Sequence, residues 1–203
     1  MGLKTSTGQA KWIQLTKGTF ILNENGVKTE YPALEATLVG LGFRDAEFEG
    51  KKTREVVCTW RDGGDIYRLS MNSDGGYGRQ FLLKLMNADV SQPLELTPTY
   101  EEDGAKKQAG MFVAQMGQQL RQRFNKDTLP KPKTAEFGGK THYDFSEQRA
   151  FIENYITQNV IPLLSANAAR PASHDNTSQG NAHVNENQED GSGVPADDES
   201  TPF

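Results

Sequence analysis

The feature that most constrains this fold is a pair of strand-like segments, Arg54–Arg61 and Asp65–Asn72, on either side of Gly63-Gly64. Two such segments joined by a Gly-Gly turn predict a β-hairpin. Its predicted cross-strand pairs are Cys58 with Leu69, Thr59 with Arg68, Trp60 with Tyr67, Arg61 with Ile66 and Asp62 with Asp65. Because strand side chains alternate between two faces, one face is apolar and the other carries Arg61 and Arg68. The apolar face is therefore suited to a core.

Other segments also predict β-structure. They are two short strands around a Lys17-Gly18 turn within 11–23, a long bent strand within 31–48, and a strand at 79–86 that follows a flexible glycine-rich loop at 72–78. Gly40 and Gly42 would permit the sharp coiling that a long strand needs in a small barrel. Residues 87–105 are polar and contain Pro93 and Pro98, which indicates a connection.

Residues 106–124 fit two structures. Apolar residues recur at four-residue spacing from Phe112 to Leu120, which is typical of a helix. A hairpin that turns at Met116-Gly117-Gln118 would instead place Arg121 and Arg123 on one face, whereas a helix would separate these arginines by about 200°. We favour the hairpin, because its paired arginines repeat the arrangement of the first hairpin.

Toward the C-terminus, the pattern predicts one helix and then a change of composition. Asp144 and Glu147 have the spacing of a capping box, an apolar stripe follows, and Pro162 should end or kink the helix. Residues 167–203 are rich in Asn, Ser, Gln, Gly and Asp and cannot bury enough apolar surface to offset their chain entropy, so we expect a disordered tail. We assign residues 1–10 to a flexible N-terminus and residues 11–166 to one domain.

Charge is distributed unevenly along the chain. Residues 1–170 hold all 22 Lys and Arg and 20 of the 27 Asp and Glu, whereas residues 171–203 hold the other 7 acids. A weakly basic body with an acidic tail indicates a nucleic-acid partner. Cys58 has no second cysteine to pair with, which fits a reducing compartment, and no segment approaches the ~18 apolar residues of a membrane span. We expect a soluble protein with no membrane partner, in the cytoplasm of a bacterium or a phage-infected host.

The usual catalytic and metal-binding motifs do not occur in the sequence. HExxH, CxxC and GxSxG are absent. The segment Gly138-Gly139-Lys140-Thr141 is not a phosphate-binding loop, because Thr134 occupies the position of that loop's first glycine. We therefore predict a binding protein rather than an enzyme, with no cofactor and no metal.

Binding of single-stranded nucleic acid requires cations that follow the phosphates and aromatic faces on which bases stack. The chain offers both in its predicted strands and loops. The candidate DNA-binding residues are Trp12, Trp60, Arg61, Tyr67, Arg68, Tyr77, Lys84, Arg121, Arg123 and Lys126. Each has an ordinary structural alternative, which is core packing for the aromatic residues and a solvated surface for the cations.

The end of the chain carries a resemblance to a known family. Its acidic run contains Asp197, Asp198 and Glu199, and its last two residues are Pro202 and Phe203. Together with a β-rich body and a polar linker, this ending resembles the single-stranded DNA-binding proteins of bacteria and their phages. Ser200-Thr201 departs from that family, in which an aliphatic residue commonly precedes the Pro-Phe.

The resemblance implies a mainly β protein with an oligonucleotide-binding (OB) fold. This would be a five-stranded barrel with extra hairpins, one C-terminal α-helix and a disordered acidic tail. It further implies sequence-independent binding of single-stranded DNA in replication, recombination and repair, with enzymes recruited when Phe203 enters an apolar pocket on them. A protein-protein adaptor or an acidic DNA-mimic inhibitor is the alternative. The sequence leaves the oligomeric state open, and a homo-oligomer is compatible with it.

Overall fold

The computed structural model describes residues 10–48, 50–104 and 106–168, which form a mainly β structure. The strands are β1 Lys11–Thr16, β2 Thr19–Glu24, β3 Val27–Tyr31, β4 Leu34–Phe48, β5 Lys51–Asp62, β6 Asp65–Asn72, β7 Leu94–Asp103, β8 Lys106–Gln115, β9 Gln118–Gln119, β10 Lys133–Phe137 and β11 Lys140–Asp144. The helices are α1 Gly76–Leu85, α2 Ser146–Asn159 and α3 Ile161–Ala168. Nine strands form one mixed sheet in the order β3-β2-β1-β6-β5-β4-β7-β8-β9, and β10 pairs with β11. No pairing among the described residues joins β3 to β9, so the large sheet is open.

The hairpin of β5 and β6 has the register that its Gly-Gly turn predicts. Trp60 lies opposite Tyr67, and Thr59 lies opposite Arg68. The long bent strand is also confirmed, because β4 pairs with β5 from Thr37 to Phe48 and carries an irregularity between Leu38 and Gly40. At 106–119 the chain forms the predicted hairpin rather than a helix, with β8 and β9 paired on either side of Met116 and Gly117. β9 ends at Gln119, so Arg121 and Arg123 do not share the strand face that was predicted for them.

The first three strands extend this sheet on its other side. β1 and β2 pair antiparallel around the predicted Lys17-Gly18 turn, and β1 runs parallel to β6. A second two-residue turn, Asn25-Gly26, has positive φ at both positions and returns the chain as β3. This conformation favours Asn-Gly and matches the twist of a hairpin. β3 therefore forms one end of the nine-stranded sheet.

The core lies on one side of the sheet and includes side chains from all three helices. Its largest fully buried residues include Trp60, Phe20, Phe81, Leu38 and Leu94. Each such side chain contributes roughly 1.5–3 kcal/mol relative to an exposed position. The opposite side of the β5–β6 hairpin has no buried side chain. The sheet therefore presents an open face above a continuous core.

Residues 79–86 do not form the predicted strand, since they belong to α1 and the turn that follows it. Five consecutive side chains from Phe81 to Leu85 are buried, and a short apolar run of this kind has no period that separates strand from helix. The glycines before it serve close packing rather than flexibility. A Cβ on Gly76 would overlap the carbonyl oxygen of Ala109, and one on Gly78 would overlap that of Asn72.

A strand, β7, occupies most of the segment predicted to be a connection. Pro98 is tolerated there because β7 pairs with β4 only from Leu94 to Leu96. Beyond Leu96 the proline nitrogen faces a side with no strand partner among the described residues, so the missing N–H breaks no ladder bond. The hairpin of β10 and β11 was not predicted either.

The single C-terminal helix that was predicted is two helices. α2 ends at Asn159, and Pro162 lies in the first turn of α3, where a proline costs no intrahelical hydrogen bond. The N-cap of α2 is Phe145 rather than the predicted Asp144, which lies one residue earlier and accepts the Ser146 N–H at 2.8 Å. Glu147 forms an ion pair with Lys133 instead of completing a capping box. The predicted flexible N-terminus and acidic tail lie outside the described residues, apart from residue 10 and residues 167–168.

Candidate nucleic-acid interface

The cross-strand registers define an outer face of the sheet, on the side away from the core. Residues directly opposite each other share a face, and Thr59 lies opposite both Arg68 and Gly40. The outer face comprises Trp12 on β1, Arg68 and Ser70 on β6, Val57, Thr59 and Arg61 on β5, and Gly40 and Gly42 on β4. None of these residues is buried. Of the predicted DNA-binding residues, the structure brings Trp12, Arg61 and Arg68 together here.

Trp12 is the large aromatic side chain of the outer face. It is 46% exposed, while its neighbour Ile13 points into the core and anchors β1. The parallel pairing of β1 with β6 places Trp12 beside Arg68, whose guanidinium carbon lies 5.8 Å from the centre of the indole ring. A contact of this kind contributes about 0.5–1 kcal/mol at an exposed position. It places a stacking surface next to a cation that can bind phosphate.

Two glycines keep the neighbouring part of the outer face shallow. A Cβ on Gly42 would meet no atom within 4 Å, and one on Gly40 would meet only the side chain of Thr59, at 3.3 Å or more. The sequence suggested strand coiling for these glycines, and their place in the outer face was missed. The pairing of Gly40 with Thr59 could have revealed it, but that register depends on the bulge in β4.

Arg44 is a further cation of the outer face that sequence reasoning missed. It pairs with Glu55, whose Oε2 accepts from Arg44 Nε at 2.9 Å and from Arg44 Nη2 at 2.8 Å. Ser70 Oγ donates to the same oxygen at 2.7 Å. These hydrogen bonds, first from Ser70 and then from Arg44, hold the pKa of Glu55 below its usual range. Glu55 is therefore ionised at neutral pH and balanced by Arg44, so it opposes an approaching phosphate only weakly.

Trp60 and Lys84 were wrongly assigned to DNA contact, because both are buried. Trp60 has 0% exposure and packs against Phe81 with ring centres 5.9 Å apart. Its indole Nε1 has no hydrogen-bond partner within the described structure. Lys84 is 7% exposed, and its Nζ donates to the Met111 carbonyl oxygen at 2.5 Å. Burial lowers the pKa of Lys84.

Tyr67 and Tyr77 are partly buried, and neither belongs to the outer face. Tyr67 lies at the edge of the core beside Lys11, whose Nζ is 5.8 Å from the ring centre. Burial, followed by the negative charge of Asp65, raises the pKa of Tyr67. The hydroxyl of Tyr77 accepts the Gly18 N–H at 2.8 Å and so joins α1 to the first turn of the sheet. Both tyrosines have structural contacts that account for their positions.

The predicted cations after β9 form a separate group. Arg121, Arg123 and Lys126 are all exposed. Arg123 also contacts the fold, because its backbone N–H donates to the Leu83 carbonyl at 3.0 Å and its guanidinium carbon lies 5.4 Å from the Tyr155 ring centre. Lys126 lines a cleft of about 460 Å³ with Arg79, a cation that was not predicted. Other residues lining this cleft include Gln80, Gln122, Phe145 and Gln148, and its described lining contains no carboxylate.

The described ranges contain no group of three or more His, Cys, Asp or Glu side chains placed to hold a metal ion. No helix in them has the length and apolarity to cross a bilayer. Asp197, Asp198, Glu199, Pro202 and Phe203, the predicted partner-binding residues, lie outside these ranges. Among known proteins, no family model, curated protein or solved structure matches this chain.

Proposed function

We propose that this chain binds single-stranded DNA, without catalysis and without sequence preference, along the outer face. The observation that carries the proposal is the half-exposed Trp12 ring with Arg68 beside it, on an open sheet face that also bears Arg61. Proteins that bind single strands in this way combine cations along the backbone path with aromatic rings on which bases stack. Trp12 would stack a base, and Arg61 and Arg68 would bind the flanking phosphates.

We propose in addition that β4 to β8, with α1, are a variant of the OB fold. This assignment is supported by three consecutive antiparallel strands, β4 to β6, followed by a hairpin of β7 and β8 in which β7 returns to pair with β4. An OB fold is a partly open five-stranded Greek-key barrel that binds oligonucleotides on the face of its second and third strands. Those strands correspond to β5 and β6, which carry Arg61 and Arg68. The strand parallel to β6 is β1, which would be an addition at the N-terminus.

The acidic tail would recruit partner enzymes. Its sequence supports this role, since the Phe203 ring suits an apolar pocket and the side chains of Asp197, Asp198 and Glu199 suit a basic rim. Such a protein would act in DNA replication, recombination or repair in the cytoplasm of a bacterial or phage-infected cell. Deleting residues 197–203 should leave or improve DNA affinity and abolish capture of these enzymes.

The DNA-binding proposal is tested by fluorescence anisotropy with a labelled oligo-dT at several salt concentrations. We expect saturable binding that prefers oligo-dT over a duplex and weakens with salt, because each phosphate contact releases a counterion. Arg61→Ala and Arg68→Ala should each lower the affinity and reduce the slope of log K against log salt by about 0.7. Lys131→Ala, at an exposed loop lysine, is the matched control and should leave the slope unchanged. Absence of binding, equal binding to duplex, or arginine variants that behave like the control would refute the proposal.

A further inference from the structure

The β3 edge of the large sheet has no cover in the described part of the chain. β3 pairs with β2 along one side only, and all five of its residues are exposed. The edge of β8 is different, because the Met111 N–H donates to Gln80 Oε1 at 3.2 Å and the Met111 carbonyl accepts from Lys84 Nζ. An uncovered edge strand presents unpaired backbone groups that can pair with another strand. The β3 edge is therefore a candidate interaction surface.

The geometry of the β2–β3 turn determines which residues of β3 present those backbone groups. A two-residue turn makes the flanking residues, Glu24 and Val27, a hydrogen-bonded pair. Because bonded and non-bonded pairs alternate along an antiparallel ladder, the N–H and C=O groups of Thr29 also face β2. The N–H and C=O groups of Lys28 and Glu30 face away from the sheet.

The sequence of β3 is self-complementary across a twofold axis. Two copies related by such an axis present the same strand to each other and pair antiparallel. Three registers place outward-facing residues of the two copies opposite each other. The first pairs Lys28 with Lys28, and the second pairs Glu30 with Glu30. The third opposes Lys28 to Glu30 twice, and it also places Val27 opposite Tyr31 and Thr29 opposite Thr29. Cross-strand pairs of opposite charge, and of a β-branched with an aromatic residue, stabilise a sheet, whereas like charges destabilise it.

We propose that β3 forms a homodimer interface, in which it pairs antiparallel with β3 of a second copy and Lys28 lies opposite Glu30 in both directions. Four backbone hydrogen bonds from Lys28 and Glu30 would join the two sheets. Neither side chain forms an ion pair within the described structure, so both are available to the second copy. An interface built on one five-residue strand is small, so the dimer should dissociate in the micromolar range.

This dimer would also align the outer faces of the two copies. Glu30 lies opposite Ile21, which lies opposite Gln14 on the same side of the sheet as Trp12, so Lys28 and Glu30 share that side. In the continuous sheet of the dimer, the two Trp12 positions are five strand spacings apart, about 24 Å. One DNA strand could then contact both copies. This consequence rests on the proposed function, whereas the dimer itself does not.

Charge reversal of the full-length chain tests the interface by analytical ultracentrifugation without DNA. The wild type should shift from 22.5 kDa toward twice that mass as its concentration rises. Lys28→Glu and Glu30→Lys each oppose like charges at two places, and each should raise the dimer dissociation constant about tenfold or more, which corresponds to about 1.4 kcal/mol. The double variant restores opposite charges and should return to within about threefold of the wild type.

Two further variants separate the interface from general charge effects. Lys131→Glu makes the same charge change in a loop and should leave the dissociation constant unchanged. Glu30→Pro removes an outward N–H without removing a bond to β2, so it should weaken the dimer while circular dichroism stays native. The proposal would be overturned if the wild type is monomeric at every concentration or if charge reversal leaves the dimer dissociation constant unchanged. It would also be overturned if the double variant dimerises as weakly as the single variants. Each of these results is independent of the oligo-dT titration.

Discussion

Replacing Lys84 with methionine separates two roles of this residue, support of the fold and the DNA contact that its charge suggests. The methionine keeps the apolar stem but removes the Nζ that donates to the buried carbonyl of Met111 at 2.5 Å and lies 5.1 Å from the Phe112 ring centre. Loss of a hydrogen bond to a charged group, with its acceptor left unpaired, costs about 1.5–3 kcal/mol. Removing the buried ammonium offsets part of that cost. We therefore expect a net loss of about 1–2 kcal/mol in unfolding free energy, or ~2–8 °C in Tm.

The assay compares urea and thermal unfolding of the wild type, Lys84→Met and the control Lys131→Met, which lies in an exposed loop. Because burial lowers the pKa of Lys84, the folded state holds this proton less tightly than the unfolded state does. The stability of the wild type should therefore rise relative to Lys84→Met as the pH increases toward the ordinary lysine pKa of ~10.4. Oligo-dT affinity should be the same for all three proteins. A variant that keeps its wild-type stability and loses DNA affinity would show that Lys84 faces the DNA.

Three further predictions follow from single residues. Glu55→Gln should lower the stability at neutral pH and flatten its decline in acid. The depressed pKa of Glu55 stabilises the fold at pH values above its ordinary pKa, and this contribution is lost as the pH falls through the pKa of the folded state. Urea unfolding at several pH values measures this, and an unchanged acid profile would contradict it. Cys58 is fully buried, which raises the pKa of its thiol, so a thiol reagent should label it only at the rate of unfolding. Rapid labelling of the folded protein would contradict this burial. Gly42→Glu should weaken oligo-dT binding at unchanged Tm, because its side chain enters open space on the outer face, and undiminished affinity would place the DNA elsewhere.

The central hairpin could be predicted from sequence because its information is local. A Gly-Gly turn sets the register of β5 and β6, and alternation then separates the face of Trp60 from that of Arg68. The same reasoning does not show how deeply a side chain on the apolar face is buried. Trp60 is fully buried because α1 packs Phe81 against it, and nothing adjacent to Trp60 in sequence shows that contact.

The errors elsewhere have related causes. Glycine marks flexible turns as well as places where backbones approach closely, and Gly76 and Gly78 are of the second kind. Pro98 interrupts a strand only where a neighbour needs its N–H. Lys84 and Arg123 have the charge of a phosphate ligand, but their partners, Met111 and Leu83, come from distant parts of the chain. Such contacts follow from the whole fold and cannot be read from residue type. For this reason Lys84 was wrongly assigned to DNA contact, and the structural contacts of Arg123 were missed.

The central claim, that a single DNA strand stacks on the outer face, is tested most directly by tryptophan fluorescence. The chain has two tryptophans, and Trp12 is half-exposed whereas Trp60 is fully buried. Addition of oligo-dT should quench the solvent-exposed part of the emission, and Trp12→Phe should abolish that quenching and retain the emission of Trp60. Its affinity should remain close to that of the wild type, since a phenyl ring still stacks, whereas Trp12→Ala should bind less tightly by about 1–3 kcal/mol. Tyr143→Ala removes another exposed aromatic ring and should leave both signals unchanged. Saturating DNA that leaves the Trp12 emission unquenched, or equal quenching in Trp12→Phe, would contradict the account.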